Sequence, residues 1–467
     1  MKKALKNIIA VSLSDILSRL LGFGANAYLA RILGTLGFGA MSVGFSVLSY
    51  AAMLSSPGVQ VAGTRHVAAT GDHAEEYVSN VNSLRTALAI GCVLIVGIVS
   101  WVFIHPPLTA WTVFIFSLSA IPMALSLDWY FLGKENLLAS SGSKVVVAGI
   151  YLVFILFFVR SGNDILWTAV AFLIANILAT AWLFYVYRRS SHRFHLAIRF
   201  DEWKKLVRQS QPLGISSFLA QTIMNVPVLI VGAIVSSHAA GLFNAAMKLI
   251  FFALVIDRVF YAMFFPVISR HRASDVEQFK RSGALALKIV LAVSVPVVVA
   301  GSVFAEQTVH FVYGQDFLAA AVPFQILLLY FLFSVVNTVF MSVMIAENRE
   351  AEYLRIMAVG TGVLVVLCVI LSFTHGLIGA SAAVAVGEGT MTAILLTKGQ
   401  SNVFRKLWKL IVPAMISGIL MLGMLLLMNS WTMFVAAPVG LIIFSLALWL
   451  LKGISSEEIL FLRGRFL

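Results

Sequence analysis

Asp15 and Arg19 stand four residues apart in a stretch, 8–30, that carries no other charge than theirs until Arg31 lies just beyond it. Four residues is about one helical turn, so the two side chains share a face and can meet. A charge at the centre of a membrane-spanning helix costs roughly 3 kcal/mol on insertion scales, so it faces a partner or a water-filled path. Two readings stand for this pair. Either the charges neutralise each other, or Arg19 meets an anionic substrate while Asp15 orients it.

Other charges sit at comparable depth in apolar runs. Lys248 has no acidic residue at helical spacing, which makes it a candidate cavity cation. Asp257 and Arg258 are adjacent, so on a helix they point about 100° apart and cannot pair face to face. Arg258 either snorkels to the membrane surface or meets substrate. Glu388 is a proton or cation site, or the counter-ion of Lys248 or Arg19. Asp15, Asp257 and Glu388 are thus the ion-coupling or counter-ion candidates. Arg19, Lys248 and Arg258 are the substrate-binding candidates. Asn26, Gln221, Asn225 and Asn244 are candidate polar cavity residues, although hydrogen bonds between helices are the commoner role for such side chains in a membrane.

Several chemistries have no residues to carry them. There is no Gly-x-x-x-x-Gly-Lys-Ser/Thr loop for ATP phosphates. Cys92 and Cys368 lie in apolar runs and read as small buried hydrophobes, and no Cys/His cluster has metal spacing. No catalytic residue, metal or cofactor is expected. The loops on the side poor in Lys and Arg are short, which counts against a membrane glycosyltransferase, polymerase or ligase. It favours transport, where the spans themselves form the machine.

The elements that position these residues follow from composition. Of 467 residues, 60% are hydrophobic and 11% charged, against roughly 25% charged in soluble domains. Apolar runs of about 20 residues, the length that crosses a bilayer, fall at 8–30, 38–62, 84–104, 109–132, 143–160, 164–187, 212–235, 240–266, 283–305, 321–345, 353–374, 376–397, 410–428 and 432–451. The fold class is therefore all-α and polytopic, with about fourteen transmembrane helices. Lys and Arg crowd one set of alternate loops, among them those holding Arg65 and Arg85, Lys134, and Arg188 to Arg208. The opposite set holds only Arg31 and Arg160. The basic set is expected in the cytoplasm with both termini. The net charge of +13 is then a matter of topology and of anionic membrane lipids, not of nucleic acid. Met1-Lys2-Lys3 leads into a helix without a small-residue cleavage site, so this first span reads as retained.

The longest polar segment, 188–211, carries Phe200, Trp203, Leu206 and Val207 at helical spacing between basic residues. It reads as a cytoplasmic amphipathic linker. The expected organisation is a six-helix N-terminal lobe, 1–187; the linker, 188–211; a six-helix C-terminal lobe, 212–397; and two further helices with a cytoplasmic tail, 398–467. A weak internal repeat accompanies it. Gly39-Ala40-Met41 through Thr64-Arg65-His66 resembles Gly241-Leu242-Phe243 through Ser269-Arg270-His271, and six helices per unit would make the repeats parallel. Pro57, Pro122, Pro227 and Pro296 lie inside spans and mark bendable points.

A family resemblance rests on these stretches together. Asn7 through Ser18, Leu29-Ala30-Arg31-Ile32-Leu33-Gly34, Gly37-Phe38-Gly39, Pro57-Gly58-Val59 and Thr64-Arg65-His66 resemble the opening of the polysaccharide transporter family, the lipid-linked oligosaccharide flippases of the multidrug/oligosaccharidyl-lipid/polysaccharide exporter superfamily. Ala240 through Lys248, Phe265 through Arg270, Val312 through Phe317 and Ala346 through Arg349 are similar to later stretches of the same family. The resemblance spans nearly the whole chain. It implies two helical lobes around a central cavity that opens alternately to each side of a bacterial inner membrane. It implies undecaprenyl-diphosphate-linked oligosaccharides as substrate, and a glycan polymerase or other glycan assembly proteins as partners. Arg19 and Lys248 match, by position, the cations that such proteins place against the diphosphate. Asn225-Val226-Pro227 and Ser55-Ser56-Pro57-Gly58 depart from the family pattern. A drug/cation antiporter of the same superfamily is the alternative, with Asp15 or Glu388 as its ion site.

Overall fold

The computed structural model describes residues 2–70, 75–189, 198–398, 407–428 and 431–453. Residues 190–197 of the expected linker, 399–406, and the tail from 454 lie outside the described residues, as does the side chain of Asp15. Among the described residues all regular structure is helical: seventeen α-helices and two short 3-10 turns. The first nine are α1 (Lys2–Leu54), α2 (Val59–Thr70), α3 (Glu75–Phe103), α4 (Pro107–Leu118), α5 (Ala120–Leu125), α6 (Asp128–Gly133), α7 (Leu137–Phe158), α8 (Ile165–Arg189) and α9 (Phe200–Ile234). Then follow α10 (Ser237–Ala253), α11 (Val255–Ser274), α12 (Val276–Val303), α13 (Ala305–Tyr313), α14 (Ala321–Ala346), α15 (Glu350–Lys398), α16 (Leu407–Leu427) and α17 (Met433–Leu450).

Eleven segments of the described residues are long and apolar enough to cross a membrane. Two of them are folded at a glycine. α1 breaks at Gly34 (φ 63°, ψ −178°) and α15 at Gly376 (φ 56°, ψ −131°). Each therefore supplies two crossings, and the shorter Ile411–Leu427 adds another, which accounts for the expected fourteen. At Gly34 a β-carbon would meet no neighbouring atom. The residue is needed for its backbone: an L side chain rarely adopts a positive φ of this kind, and glycine does so freely.

Two expected spans are interrupted. The run 38–62 does not continue through Ser55-Ser56-Pro57-Gly58: α1 ends at Leu54, Gly58 takes φ 76°, and α2 begins at Val59. Pro57 has no N–H for a helical bond, which favours a stop there. The run 109–132 is cut into α4, α5 and α6, so Asp128 opens α6 instead of closing a continuous span.

The chain divides into two compact units, Met1–Asn244 and Ala245–Leu467. This division falls within α10, later in the chain than the polar segment 188–211. In the first unit α1 packs on α4, α7 and α9, and α7 on α8. From Phe200 the polar segment is the start of α9, whose apolar side docks in the first unit. Leu206 is buried with Val59, Val67, Val81, Trp129 and Tyr187. Trp203 Nε1 donates to Asn80 Oδ1 at 2.8 Å, and Arg199 is ion-paired with Glu76. In the second unit α14 packs between α12 and α15, with α11 against both α12 and α14 and α16 against α12.

Candidate functional site

The second unit gathers its polar chemistry on α11, α14 and α15. Glu388 lies beyond the break in α15 and is 7% exposed. Its Oε1 accepts from Asn337 Nδ2 at 2.8 Å. Thr392, one turn further along, donates to Asn337 Oδ1 at 2.9 Å. The adjacent Thr338 donates to Asp257 Oδ2 at 3.0 Å. Asn337 and Thr338 point about 100° apart on α14, which is how neighbouring residues serve carboxylates on two different helices. Asp257 Oδ1 is buried with no hydrogen-bond partner. Asp257 and Glu388 lie within electrostatic range of each other, and the Tyr330 and Tyr353 hydroxyls lie within range of both.

A carboxylate has about four lone-pair positions for hydrogen bonds. Here each carboxylate receives a side-chain donor, Glu388 from Asn337 and Asp257 from Thr338. Two anions so placed at membrane depth call for a proton or a small cation between or beside them. Among the described residues no group of three or more His, Cys, Asp or Glu is placed to hold a metal ion.

The first unit buries the opposite charge. Arg85 on α3 is 1% exposed. Sequence reasoning had it among the loop cations; it lies instead inside the helix, three turns from Glu75 at the start of α3. Its guanidinium closes the break in the 107–133 segment. Nη2 donates to the Met123 carbonyl at 2.9 Å and Nη1 to the Ser126 carbonyl at 3.1 Å. Asn82 Nδ2 donates to the Leu125 carbonyl at 2.8 Å, and Thr180 Oγ1 to the Pro122 carbonyl at 2.9 Å. A broken helix in a membrane leaves carbonyls that water cannot reach, and neighbouring side chains must satisfy them. The sequence signal that pointed here was Pro122 within a span.

The first unit also contains a close junction between the second half of α1 and the start of α10. Gly241 packs on the Thr35 carbonyl and Gly39 on the Ser237 carbonyl so closely that a β-carbon on either would collide with backbone. Thr35 Oγ1 and His238 Nδ1 are 2.7 Å apart, and Asn244 Nδ2 donates to Ser42 Oγ at 2.5 Å. These bonds join residues 203 and 202 positions apart, which matches the spacing of the Gly39 and Gly241 motifs in the sequence.

The sequence-predicted residues are thus distributed unevenly. Asp257 and Glu388 come within electrostatic range of each other, served by the neighbouring Thr338 and Asn337. Arg19 is half-buried on α1 and belongs to the first unit. Lys248 is half-buried on α10 in the second, its ammonium 5.9 Å from the centroid of the Phe251 ring. Arg258 is exposed beside the buried-facing Asp257. Asn26 is spent on its own helix, donating to the Gly22 carbonyl at 2.7 Å. Asn244 is a helix-to-helix bond. Asn225 Nδ2 donates to Gln221 Oε1 at 2.9 Å, and Gln221 Nε2 lies 3.4 Å from the Ser49 carbonyl. Thr338 and Thr392 were not anticipated, because hydroxyls that bond backbone one turn back are frequent in apolar helices and give no distinct sequence signal.

A family model described as polysaccharide biosynthesis protein matches residues 4–272. The chain belongs to this family. No curated protein matches it. Among solved structures the chain resembles "Lipid II flippase MurJ, inward closed conformation", with a TM-score of 0.75 at 14% identity, over 98% of this chain and 100% of that one. It also resembles an inward-facing MATE multidrug resistance transporter of the MOP superfamily, with a TM-score of 0.66 at 14% identity, over 85% of this chain and 98% of that one. A Vibrio cholerae MATE transporter matches at a TM-score of 0.53 and 16% identity, over 85% and 95%. This member of the polysaccharide biosynthesis family therefore has the fold of those flippases and transporters, and its long apolar helices make it a multi-pass membrane protein.

Proposed function

We propose that the protein flips a lipid-linked oligosaccharide, carried on undecaprenyl diphosphate, from the inner to the outer leaflet of a bacterial inner membrane by alternating access. The observation that carries this reading is membership of the polysaccharide biosynthesis family, in a chain with a flippase-like fold along 98% of its length. The asymmetry of Lys and Arg between alternate loops supports cytoplasmic termini. Arg19, Lys248 and Arg258 are the proposed contacts for the anionic part of the substrate. Asp257 and Glu388 are the proposed coupling site, where a proton or monovalent cation binds in one state and leaves in another. Asp15 is proposed as the counter-ion of Arg19. A glycan polymerase or other assembly protein would take up the product. Movement of one charge through 100 mV supplies about 2.3 kcal/mol, enough to bias such a cycle.

The test is surface glycan in a host that depends on this chain. Arg19→Ala and Lys248→Ala are expected to abolish export while the protein still inserts in normal amount. Normal glycan in both variants would overturn the proposed contacts. A second reading, a drug/cation antiporter, draws on the Asp257–Glu388 pair. Drug resistance on overexpression, with unchanged surface glycan, would favour it.

A further inference from the structure

The first unit contains an open-sided cavity of about 400 Å3 whose walls come from α1, α2, α3, α5 and α9. Its polar lining is Ser56, Gln60, Arg85, Ser217 and Gln221. The residues are all in one unit, so the cavity belongs to that unit alone. Arg19, Lys248, Arg258, Asp257 and Glu388 are not among its lining residues.

Arg85 is a buried cation held only by neutral groups. Its bonds go to the Met123 and Ser126 carbonyls and, at 3.4 Å, to Asn82 Oδ1. Among the described residues no carboxylate forms an ion pair with it. Asp128 acts on it at longer range and itself accepts from Ser126 Oγ at 3.3 Å. Two donors on residues of the cavity wall are left over. Arg85 Nε and Ser56 Oγ are both buried with no hydrogen-bond partner. A guanidinium with an unused N–H, next to hydroxyls and side-chain amides, is the donor set that recognises phosphoryl oxygens. The carbonyl clamp uses only the two Nη groups.

We propose that this cavity is a phosphoryl-anion subsite, in which Arg85 supplies the charge and Ser56, Gln60, Ser217 and Gln221 supply neutral hydrogen bonds. The anion is the phosphate or diphosphate of a lipid headgroup, and the two sources are the diphosphate of a transported lipid or the phosphate of an anionic bilayer lipid. The site stands apart from the transport reading, because a static anionic lipid would fill it equally well.

The test uses the full chain in detergent. Thermal unfolding is followed with increasing pyrophosphate, and native mass spectrometry counts retained phosphatidylglycerol against phosphatidylcholine. Wild type should be stabilised saturably by pyrophosphate, or retain phosphatidylglycerol selectively. The Gln60→Leu/Ser217→Ala double variant, which leaves the carbonyl clamp intact, should weaken that binding at least tenfold, and Arg85→Lys should lose the preference. Pyrophosphate that displaces the lipid assigns the site to a diphosphate; phosphatidylglycerol retention that pyrophosphate leaves untouched assigns it to a bilayer lipid. The proposal is overturned if neither anion binds, or if binding is unchanged in the double variant. Neither measurement requires flipping, so a failed transport reading and a failed subsite are told apart.

Discussion

The two units bury opposite charges and satisfy them in different ways. In the first, Arg85 is held by backbone carbonyls that a broken helix has freed. In the second, Asp257 and Glu388 are held by side chains, Thr338 and Asn337, on an unbroken helix. The difference lies in what the surroundings can offer. An interrupted helix exposes acceptors, so it suits a cation. An intact helix has its backbone spent, so its donors to an anion must come from side chains. Fixed backbone carbonyls cannot leave the arginine without unravelling α5, whereas Thr and Asn rotamers can change as a carboxylate gains or loses its ion. The first arrangement anchors; the second is able to switch.

The largest effect is expected where an anchor and its packing coincide. Gly241→Ala places a β-carbon against the Thr35 carbonyl, and helical backbone cannot give way as a flexible side chain can. Loss of export, with sharply reduced folded protein in the membrane, is expected by immunoblot and export assay. Normal export from this variant would remove the junction from the account.

Arg85→Ala leaves the Met123 and Ser126 carbonyls buried and unpaired at about 1–3 kcal/mol each. A drop in unfolding temperature of many degrees is expected. Glu388→Gln should behave in the opposite way. Its remaining carbonyl oxygen still accepts from Asn337, so the unfolding temperature should barely move while ion-dependent transport is lost. If Glu388→Gln unfolds the protein and Arg85→Ala does not, the contrast between anchor and switch is reversed.

A smaller effect separates the members of the carboxylate pair. Thr338→Val removes the hydroxyl donor to Asp257, worth about 1 kcal/mol, and leaves Glu388 with Asn337. Coupling should shift toward a different ion concentration by several-fold without disappearing, read as the half-maximal concentration of the driving ion. No shift would make Thr338 a mere packing residue. The smallest effect lies outside the spans. Asp275 caps α12 by accepting from the Glu277 and Gln278 backbone N–H groups, and these bonds hold its carboxyl below the usual range for aspartate. A depressed carboxyl pKa stabilises the fold above the ordinary aspartate value, and the benefit is lost as pH falls through the folded value. Asp275→Ala should therefore flatten the acid limb of the stability profile slightly and leave transport at neutral pH unchanged.

The sequence made the membrane class, the span number and the glycine-marked turn at Gly34 legible, because apolar run length and φ-permissive residues are local signals. It singled out Asp257 and Glu388 because charged residues in apolar runs are conspicuous. It did not place them together, since contact between α11, α14 and α15 is a property of packing that no spacing within one helix encodes. Arg85 escaped for a related reason. Ten residues after Glu75 it still looks like a basic residue at the foot of a span, and only the break at Pro122, supplied by another helix, gives it acceptors at that depth. Arg19, Lys248 and Arg258 were conspicuous in the same way as the carboxylates, but the fold of each unit alone does not gather them.

The central claim is that this chain moves a lipid-linked oligosaccharide and that the Asp257–Glu388 pair couples the movement to an ion. The most direct measurement places purified protein in vesicles containing an undecaprenyl-diphosphate-linked oligosaccharide and follows its leaflet with an impermeant glycan-modifying enzyme. Wild type should transfer the lipid between leaflets, faster under a proton or sodium gradient, and Glu388→Gln should lose the gradient response while remaining folded. Absence of transfer by the wild type, or an equal gradient response in Glu388→Gln, would contradict the account.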